Sequence, residues 1–472
     1  MTPQNTVERA LAAARSDDCV VIADERSSAN LRWAGNTLTT NGVTRSRQLT
    51  VIAISRSPSG TSAGVVSRTS VRDDQIEETV RAAEKAASEG SPAEDAQPLL
   101  RPGSPEAFSG PDAPDGQLGW QDQAAGTEVG VFRSFAGALG EAFESAAAGG
   151  RRLYGYAEHK MTSTFLGTST GLRLRHDQPS GKVEINAKTP DMTRSAWVGQ
   201  GTRDFRNVDV PQLDAELARR LGWAQRQLEL PPGRYETLLP PSAMADLYIF
   251  LGWSAGAKDA LDGRNVFSKP GGGTRVGERL ANLPVTLRSD PAAPGLECAP
   301  FVIARVSHRE ASVFDNGLAV PPVAWLDAGV LGALVQTRYT AKLSGLPVTP
   351  PTQNLIMEGP EPGGASLGEM IASTKRALLL TCLWYIREVD PQTLLLTGLT
   401  KNGVYLVENG EVTGAVNNFR FNESPVGLLG RIAEVGGTVP ALPREWSDNF
   451  TRAAMPTARM EGFNMSSVSK AS

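Results

Sequence analysis

Histidine is the side chain that most often moves protons or binds zinc in enzymes. The chain of 472 residues contains three, His159, His176 and His308. Any imidazole chemistry must come from these positions. This scarcity excludes most of the arrangements by which metal-dependent hydrolases bind their ion.

His308 and Glu310 are the nearest approach to a metal-binding pair. They follow the predicted strand Val302–Val306 and stand two positions apart, so both side chains could face one side and offer a nitrogen and an oxygen ligand. No third ligand is visible nearby. We therefore favour a structural or hydrogen-bonding role for His308, and for His159 and His176 as well.

The segment Gly167–Gly171 reads Gly-Thr-Ser-Thr-Gly and matches the pattern of a serine hydrolase nucleophile, which would be Ser169. That chemistry requires a turn between a strand and a helix. Here the alternating residues 172–176 follow, which indicate a second strand. The pattern is more typical of a turn between two strands.

Two further candidates have simpler interpretations. The glycine-rich segment 271–277 could cradle a phosphate, but no Lys-Ser/Thr follows and no buried strand precedes it, which favours a flexible loop. Cys382 lies in an apolar run and is interpreted as a small buried residue rather than a nucleophile.

Composition narrows the classes of partner. The chain has 47 Lys and Arg against 51 Asp and Glu, a net charge of −4, and no basic tract, which argues against nucleic acid. Cys19, Cys298 and Cys382 are too few and too far apart for a disulfide framework. The first 18 residues lack the apolar core of a secretion signal, and the most apolar run, Ala377–Ile386, is about half of what spans a bilayer. These features predict a cytoplasmic protein that contacts no membrane.

The spacing of apolar residues predicts an α+β protein with a domain boundary near residue 230. Residues 1–230 are expected to form a mixed α/β domain with antiparallel strands and an exposed loop at about 91–118, which carries six prolines. Its predicted helices begin near Val7, Asp73, Val131 and Pro211, and its predicted strands are Cys19–Ala23, Leu31–Ala34, Gln48–Ile54, Leu153–His159, Thr162–His176, Gly181–Lys188 and Ser195–Gly199.

Residues 231–472 are expected to form a domain of curved, barrel-like antiparallel sheet with a few helices. Apolar periodicity predicts a helix from about Ser242 to Leu261, and a capping box at Ser366 and Glu369 predicts another that runs to about Leu380. The alternating runs around Asn409-Gly410, within residues 403–416, predict a β-hairpin.

The chain resembles the TldD/PmbA (TldE) family, the modulator-of-gyrase peptidase group. In the first half, FLGTSTGLRLRH (165–176) is similar to a strand pair of the family. In the second half the resemblance lies in collinear segments, namely PPGRYETLLPPSAMADL (231–247), DALDGRNVFS (259–268), PVTLRSDP (284–291), VFDNGLAVPPVAWLDAGVLGALVQTRYTA (313–341), ASLGEMIASTKRALLLTCLW (365–384) and GVYLVENGEVTGAV (403–416).

The resemblance implies one of two associating subunit types. The TldD type carries a His-Glu-x-x-x-His helix and a distant cysteine as zinc ligands, and the TldE/PmbA type does not. Where the motif would fall, this chain reads Ser254-Ala255-Gly256-Ala257-Lys258-Asp259, and its last cysteine, Cys382, is far from the carboxyl terminus. Ser254, Lys258 and Asp259 cannot retain zinc. We therefore expect a TldE/PmbA-type subunit with no catalytic residue, metal ligand or cofactor of its own.

Two functions follow as hypotheses. In the first, the chain pairs with a TldD-type zinc protease subunit and helps to hold an extended peptide substrate, unfolded or modified, for cleavage. In the second, it is a non-proteolytic peptide-binding or scaffold homo-oligomer. An independent hydrolase that uses Ser169 or the His308/Glu310 pair is a weaker third. The sequence assigns no residue to substrate binding.

Overall fold

The computed structural model describes residues 1–109, 119–361 and 363–469. Helices and strands are mixed along this part of the chain, as the α+β prediction requires, and the strands form two sheets. None of the helices in the described ranges combines the length and the apolar character needed to cross a bilayer.

The first sheet has six strands, in the order β3-β2-β1-β4-β5-β6, and every neighbouring pair is antiparallel. This confirms the antiparallel arrangement predicted for the first half. The strands are β1 (Asp18–Trp33), β2 (Leu38–Ser57), β3 (Gly60–Thr69), β4 (Arg152–Thr168), β5 (Arg173–Lys188) and β6 (Ser195–Thr202).

Four helices pack against this sheet: α1 (Pro3–Ala13), α2 (Ile76–Glu89), α3 (Arg133–Ala148) and α4 (Val210–Trp223). The apolar faces of α1 and α2 lie on β1 and β2 and exclude water from them. Gly64 on β3 allows α2 to approach closely, because a Cβ atom there would overlap backbone atoms of Ala83 and Ala87. Helices α3 and α4 cover the other end of the sheet.

Strands β1 and β2 are longer than the sequence predicts. The predicted breaks fall at polar residues such as Ser27 and Ser28, yet β1 continues through them and stays paired with both β2 and β4. Backbone hydrogen bonds to two neighbouring strands hold this polar stretch in the sheet, although its side chains give no strong strand signal.

The proline-rich segment differs from the expected exposed loop. Leu99 and Leu100 are buried, and the Phe108 ring lies 5.4 Å from that of Phe301 in the second half of the chain. The prediction of exposure is wrong for these residues, because apolar side chains between the prolines pack between the first sheet and residues 301–320. Residues 110–118, which belong to the same predicted loop, lie outside the described residues.

The second sheet contains β7 (Gln227–Leu228), β8 (Gly233–Leu239), β9 (Thr286–Ser289), β10 (Val323–Asp327), β11 (Val330–Leu331), β12 (Leu355–Glu358), β13 (Arg376–Leu380), β14 (Leu383–Asp390), β15 (Leu395–Thr400), β16 (Val404–Glu408), β17 (Glu411–Val416), β18 (Phe419–Glu423), β19 (Ile432–Ala441) and β20 (Ala453–Val468). Most neighbouring pairs are antiparallel, but β12 with β20, β8 with β13, and β7 with β17 are parallel. The sheet is therefore mixed, and over the described residues it does not close into a barrel.

The remaining helices are α5 (Pro241–Trp253), α6 (Ala257–Leu261), α7 (Arg338–Ser344), α8 (Leu367–Ser373) and α9 (Pro425–Leu429). Two helix predictions are corrected by these bounds. The helix expected from Ser242 to Leu261 is broken after Trp253. The helix expected to reach Leu380 ends at Ser373, since residues 376–380 form β13 between β8 and β16, where a continuous apolar run suits a buried strand equally well.

The hairpin prediction is confirmed. β16 and β17 pair antiparallel, and the turn residues Asn409 and Gly410 have φ angles of 51° and 86°. Two successive positive φ values are typical of the tight turn that matches strand twist, and Asn-Gly adopts them at low cost.

Candidate functional site

The segment Ser254–Asp259 starts at the carboxyl end of α5 and continues into α6. The Ser254 hydroxyl donates to the Phe250 carbonyl at 3.0 Å, within the last turn of α5. The helix then stops, because the Ala255 carbonyl accepts a 2.8 Å bond from Val335 N and Ala257 N donates to the Val335 carbonyl at 3.0 Å. This segment therefore does not present its side chains from one continuous helix.

The charged side chains of α6 are occupied by ion pairs. Lys258 Nζ lies 2.8 Å from Asp262 Oδ1, and Asp259 accepts from Arg309. Hydrogen bonds from Lys258 and Arg264 lower the pKa of Asp262 to about 2. Each carboxylate here thus already has a cationic partner.

This donor set does not fit a zinc ion. Zinc in proteins takes thiolate, imidazole and carboxylate ligands, usually four of them or three and a water. Ser254 offers a hydroxyl that donates within α5, Lys258 carries a positive charge, and Asp259 is paired with arginine. Across residues 1–109, 119–361 and 363–469, no three His, Cys, Asp or Glu side chains are grouped so that they could hold a metal.

A cavity of about 230 Å³ opens beside this segment, between α5 and the second sheet. Apolar side chains from α5, β9, β10 and β12 form its walls. His308 and Glu310 lie at its more exposed end, with 56% and 29% of their side chains accessible. His308 Nδ1 is 3.0 Å from Glu310 Oε2, so the structure does bring the predicted pair together.

A cluster of four aromatic rings lies next to the cavity, and two of them, Trp253 and Phe450, contribute to its wall. The Trp253 ring centre lies 5.2 Å from that of Trp446, which in turn is 5.6 Å from Phe250, and Phe450 completes the cluster. The indole nitrogen of Trp446 donates to the Asp246 carbonyl at 2.8 Å. The chain that follows β19 is thereby fastened onto α5.

The first half of the chain also holds this aromatic loop in place. Lys182 on β5 lies 3.0 Å from Ser447 Oγ and 3.0 Å from Glu184 Oε1, and it also pairs with Asp448. Burial opposes the charge on Lys182, but the carboxylates of Glu184 and Asp448 outweigh that effect and raise its pKa. The ammonium therefore stays charged within a buried contact between the two sheets.

Asp246 is a buried acid that sequence reasoning missed. It lies on α5 and is fully enclosed, and its Oδ1 accepts from Glu445 N at 2.8 Å, whereas Oδ2 has no hydrogen-bond partner among the described residues. Desolvation raises its pKa well above the usual value. The available signal was a single carboxylate in an otherwise apolar helix.

Ser169 is placed as the turn interpretation predicts, at the corner between β4 and β5. Its hydroxyl donates to Asp18 Oδ1 at 3.0 Å and accepts from Cys19 N at 3.0 Å. These bonds fasten the turn to the start of β1. In the described part of the chain, the Ser169 hydroxyl forms no hydrogen bond with a histidine. It therefore lacks the base that nucleophilic catalysis requires.

The other two histidines make hydrogen bonds inside the fold. His159 Nδ1 lies 2.7 Å from Thr127 Oγ1, and its other nitrogen lies 2.5 Å from the Arg203 carbonyl. His176 Nε2 lies 3.1 Å from Gln178 Oε1. Desolvation lowers the pKa of both rings, which favours their neutral forms.

The glycine-rich segment forms a turn, and Cys382 is a buried residue, as its apolar surroundings predict. Gly271, Gly272 and Gly273 have positive φ angles and form a turn closed by a 3.0 Å bond from Lys269 N to the Gly273 carbonyl. Cys382 is buried, and desolvation raises its pKa to about 11. Its thiol therefore stays protonated near neutral pH.

A second, larger concavity of about 720 Å³ lies between the two sheets. β6 and β19 border it, and Arg452 in its wall donates to the Gln353 carbonyl at 3.1 Å. Burial lowers the pKa of Arg452, and no carboxylate of the described residues lies within ion-pair distance of it. Sequence reasoning could not find this cleft, because its walls come from segments far apart in the chain.

Comparison with known proteins identifies a matching family and solved structures with the same fold. A family model described as the PmbA/TldA metallopeptidase C-terminal domain matches residues 232–467. Crystal structures of TldE from Thermococcus kodakarensis and of a candidate DNA gyrase modulator from Thermotoga maritima align with TM-scores of 0.75 and 0.74, at 15% and 16% identity. Each alignment covers 98% of this chain and 99% of the other. A search of curated protein sequences gave no match.

Proposed function

Since this chain belongs to the PmbA/TldD family, we propose that it is a TldE/PmbA-type subunit without catalytic residues. In this proposal it acts with a TldD-type subunit, which supplies the zinc ion, in a heteromeric metalloprotease. The complex would degrade or trim unfolded or modified peptides.

The observation that carries the proposal is the chemistry of the segment Ser254–Asp259. This is where the zinc motif is expected from the family resemblance, and the segment offers a hydroxyl, an ammonium and one carboxylate, two of them held in ion pairs. Its backbone also leaves the helix at Ala255. A catalytic zinc ion needs three protein ligands around an open position, which supports the proposal that the metal comes with another subunit.

A supporting role in substrate binding accords with the cleft between the sheets. The outer strand β6 contributes to the wall of this cleft. Among the described residues, β6 pairs with β5 and with no other strand. An extended peptide can pair its main chain with an outer strand and leave its side chains in adjacent pockets. We propose that the chain holds peptides in this manner beside the partner's zinc site.

We also propose that the protein works in the cytoplasm. Cys19, Cys298 and Cys382 are all free thiols, and all three are buried. Burial raises the pKa of each of them, to about 12 for Cys19 and about 11 for Cys382. A set of unpaired cysteines suits a reducing compartment.

The test is reconstitution with a TldD-type protein from the same genome. We expect the two chains to copurify, and we expect cleavage of an unfolded polypeptide in the mixture but not with this chain alone. Elemental analysis should find zinc in the mixture and no stoichiometric zinc in the isolated chain. A control mixture uses a partner in which the glutamate of its His-Glu-x-x-x-His motif is replaced by glutamine.

Two outcomes would overturn the proposal. Peptide cleavage by this chain alone, with zinc bound in a one-to-one ratio, would mean that it carries its own catalytic centre. A stable homo-oligomer that binds peptides and never associates with the TldD-type chain would favour the scaffold function instead. Native mass measurements of each chain and of the mixture distinguish these results.

A further inference from the structure

The cavity beside α5 is large enough to hold one amino-acid side chain. Its volume is about 230 Å³. An apolar protein cavity of about 150 Å³ already accommodates benzene. The space can therefore take a phenyl ring or a branched aliphatic side chain, with room left for the atoms that connect it to a backbone.

The cavity is apolar in its depth. Phe267, Leu287 and Leu331 contribute to its walls and are almost completely inaccessible to solvent. Such walls make no hydrogen bonds with water, so an apolar group that replaces water there is stabilised by its burial. The inner part of the cavity therefore favours a hydrocarbon side chain.

The more exposed end of the cavity carries a carboxylate. Glu310 lies there, and among the described residues its carboxylate forms a hydrogen bond with His308. The nearby cations are engaged elsewhere, because Arg309 pairs with Asp259 and Asp262, and Lys258 pairs with Asp262. The Glu310 carboxylate therefore remains available to a cationic group of a ligand.

We propose that this cavity binds the amino-terminal residue of a peptide. The apolar side chain of that residue enters the cavity, and the Glu310 carboxylate accepts hydrogen bonds from the α-ammonium group. An internal residue would bring a neutral amide to Glu310 and would forgo the charged contact. The inference rests on the proposed role in peptide processing, because it names which part of the peptide this chain holds.

Calorimetric titration of the isolated chain tests the site with small probes. Phenylalanine amide carries the ring and the ammonium, N-acetylphenylalanine amide lacks the charge, and glycine amide lacks the ring. We expect phenylalanine amide to bind and each of the other two to bind about tenfold or more weakly, since a hydrogen bond to a charged group contributes about 1.5–3 kcal/mol.

Two variants and a control locate the binding. Glu310→Gln should weaken phenylalanine amide about tenfold or more while leaving N-acetylphenylalanine amide unchanged. Ala333→Trp, which fills the cavity from its wall, should abolish binding of both. Glu411→Gln, on the hairpin at the start of β17, removes the same charge at an exposed site and should change neither. Circular dichroism and the thermal transition establish that each variant is folded.

The results separate this inference from the proposed function. Absence of phenylalanine amide binding at millimolar concentration, or equal affinity of Glu310→Gln and wild type, would overturn the inference even if the chain forms an active complex with a TldD-type subunit. Conversely, the expected probe binding by a chain that never joins such a partner would support the inference and contradict the proposed heteromeric protease.

Discussion

The backbone N–H of Val335 donates a 2.8 Å hydrogen bond to the carbonyl oxygen of Ala255. This bond uses a carbonyl that would otherwise accept a hydrogen bond within a continued helix. It turns the chain toward a segment about 80 positions further along the sequence. The next residue, Gly256, then lies against Glu310. The end of α5 and the charged end of the cavity are therefore parts of one local arrangement.

Gly256→Ala should weaken phenylalanine amide binding without unfolding the protein. A Cβ atom at this position would lie 2.8 Å from Glu310 Oε1, so the carboxylate must move, whereas the backbone φ of −71° suits alanine. Calorimetric titration should show a loss of affinity, and the free energy of unfolding should change by less than about 1 kcal/mol. Gly140→Ala in α3, where a Cβ atom would meet no atom within 4 Å, is the control and should bind normally. Equal affinities of the two variants would contradict the prediction.

Arg338→Ala should destabilise the fold strongly. Arg338 Nε lies 2.8 Å from Asp315 Oδ1, and both residues are buried, so the variant leaves a carboxylate without its partner. Removing one member of a buried pair costs about 3–5 kcal/mol. Urea denaturation measures this loss. Arg309→Ala breaks exposed ion pairs with Asp259 and Asp262 and should cost no more than about 1 kcal/mol. Similar losses of unfolding free energy in the two variants would show that the buried ion pair stabilises the fold no more than the exposed ones.

Asp246→Asn should change how stability depends on pH. Because burial raises the pKa of Asp246, the folded chain retains a proton that the unfolded chain releases above its ordinary pKa of 3.8. Native protein then binds more protons than unfolded protein, so this group lowers stability as the pH rises from about 4 toward its folded pKa.

Asparagine cannot ionise, so the Asp246→Asn variant should gain stability relative to wild type across the same pH window. The gain should approach, but not exceed, about 1.4 kcal/mol per pH unit. Urea denaturation at a series of pH values measures it. Asp327→Asn, at an exposed position on β10, should show no such trend. A constant difference between wild type and Asp246→Asn would mean that Asp246 titrates alike in both states.

The three cysteines should be unreactive in the folded protein. Burial encloses them, and with a pKa of about 11 only about one Cys382 thiol in a thousand would be ionised at about pH 8. A chromogenic disulfide reagent should detect no thiol in native protein and three after denaturation. Ser59→Cys, in the exposed turn between β2 and β3, should add one rapidly reacting thiol. Fast reaction of a native cysteine would show that its segment opens readily.

Features that depend on residues close together in the chain could be predicted from the sequence. The amphipathic helix α2, the Asn409-Gly410 hairpin and the turn at Ser169 all lie where their local patterns place them. In each case the decisive interactions are those of residues a few positions apart, such as a repeated apolar face or two positive φ angles. The absence of a histidine pair at residues 254–259 was equally visible in the sequence, because ligand chemistry is a property of residue type.

Features that depend on contacts between distant parts of the chain could not be predicted without the fold. Residues 376–380 become β13 because β8 and β16 flank them, and α5 ends at Trp253 because Val335 pairs with Ala255. The buried state of Leu99 and the apolar cavity that ends at Glu310 likewise come from side chains far apart in the chain. An apolar run has similar burial energy in a helix or a strand, so the partners that the whole fold brings to it select between them.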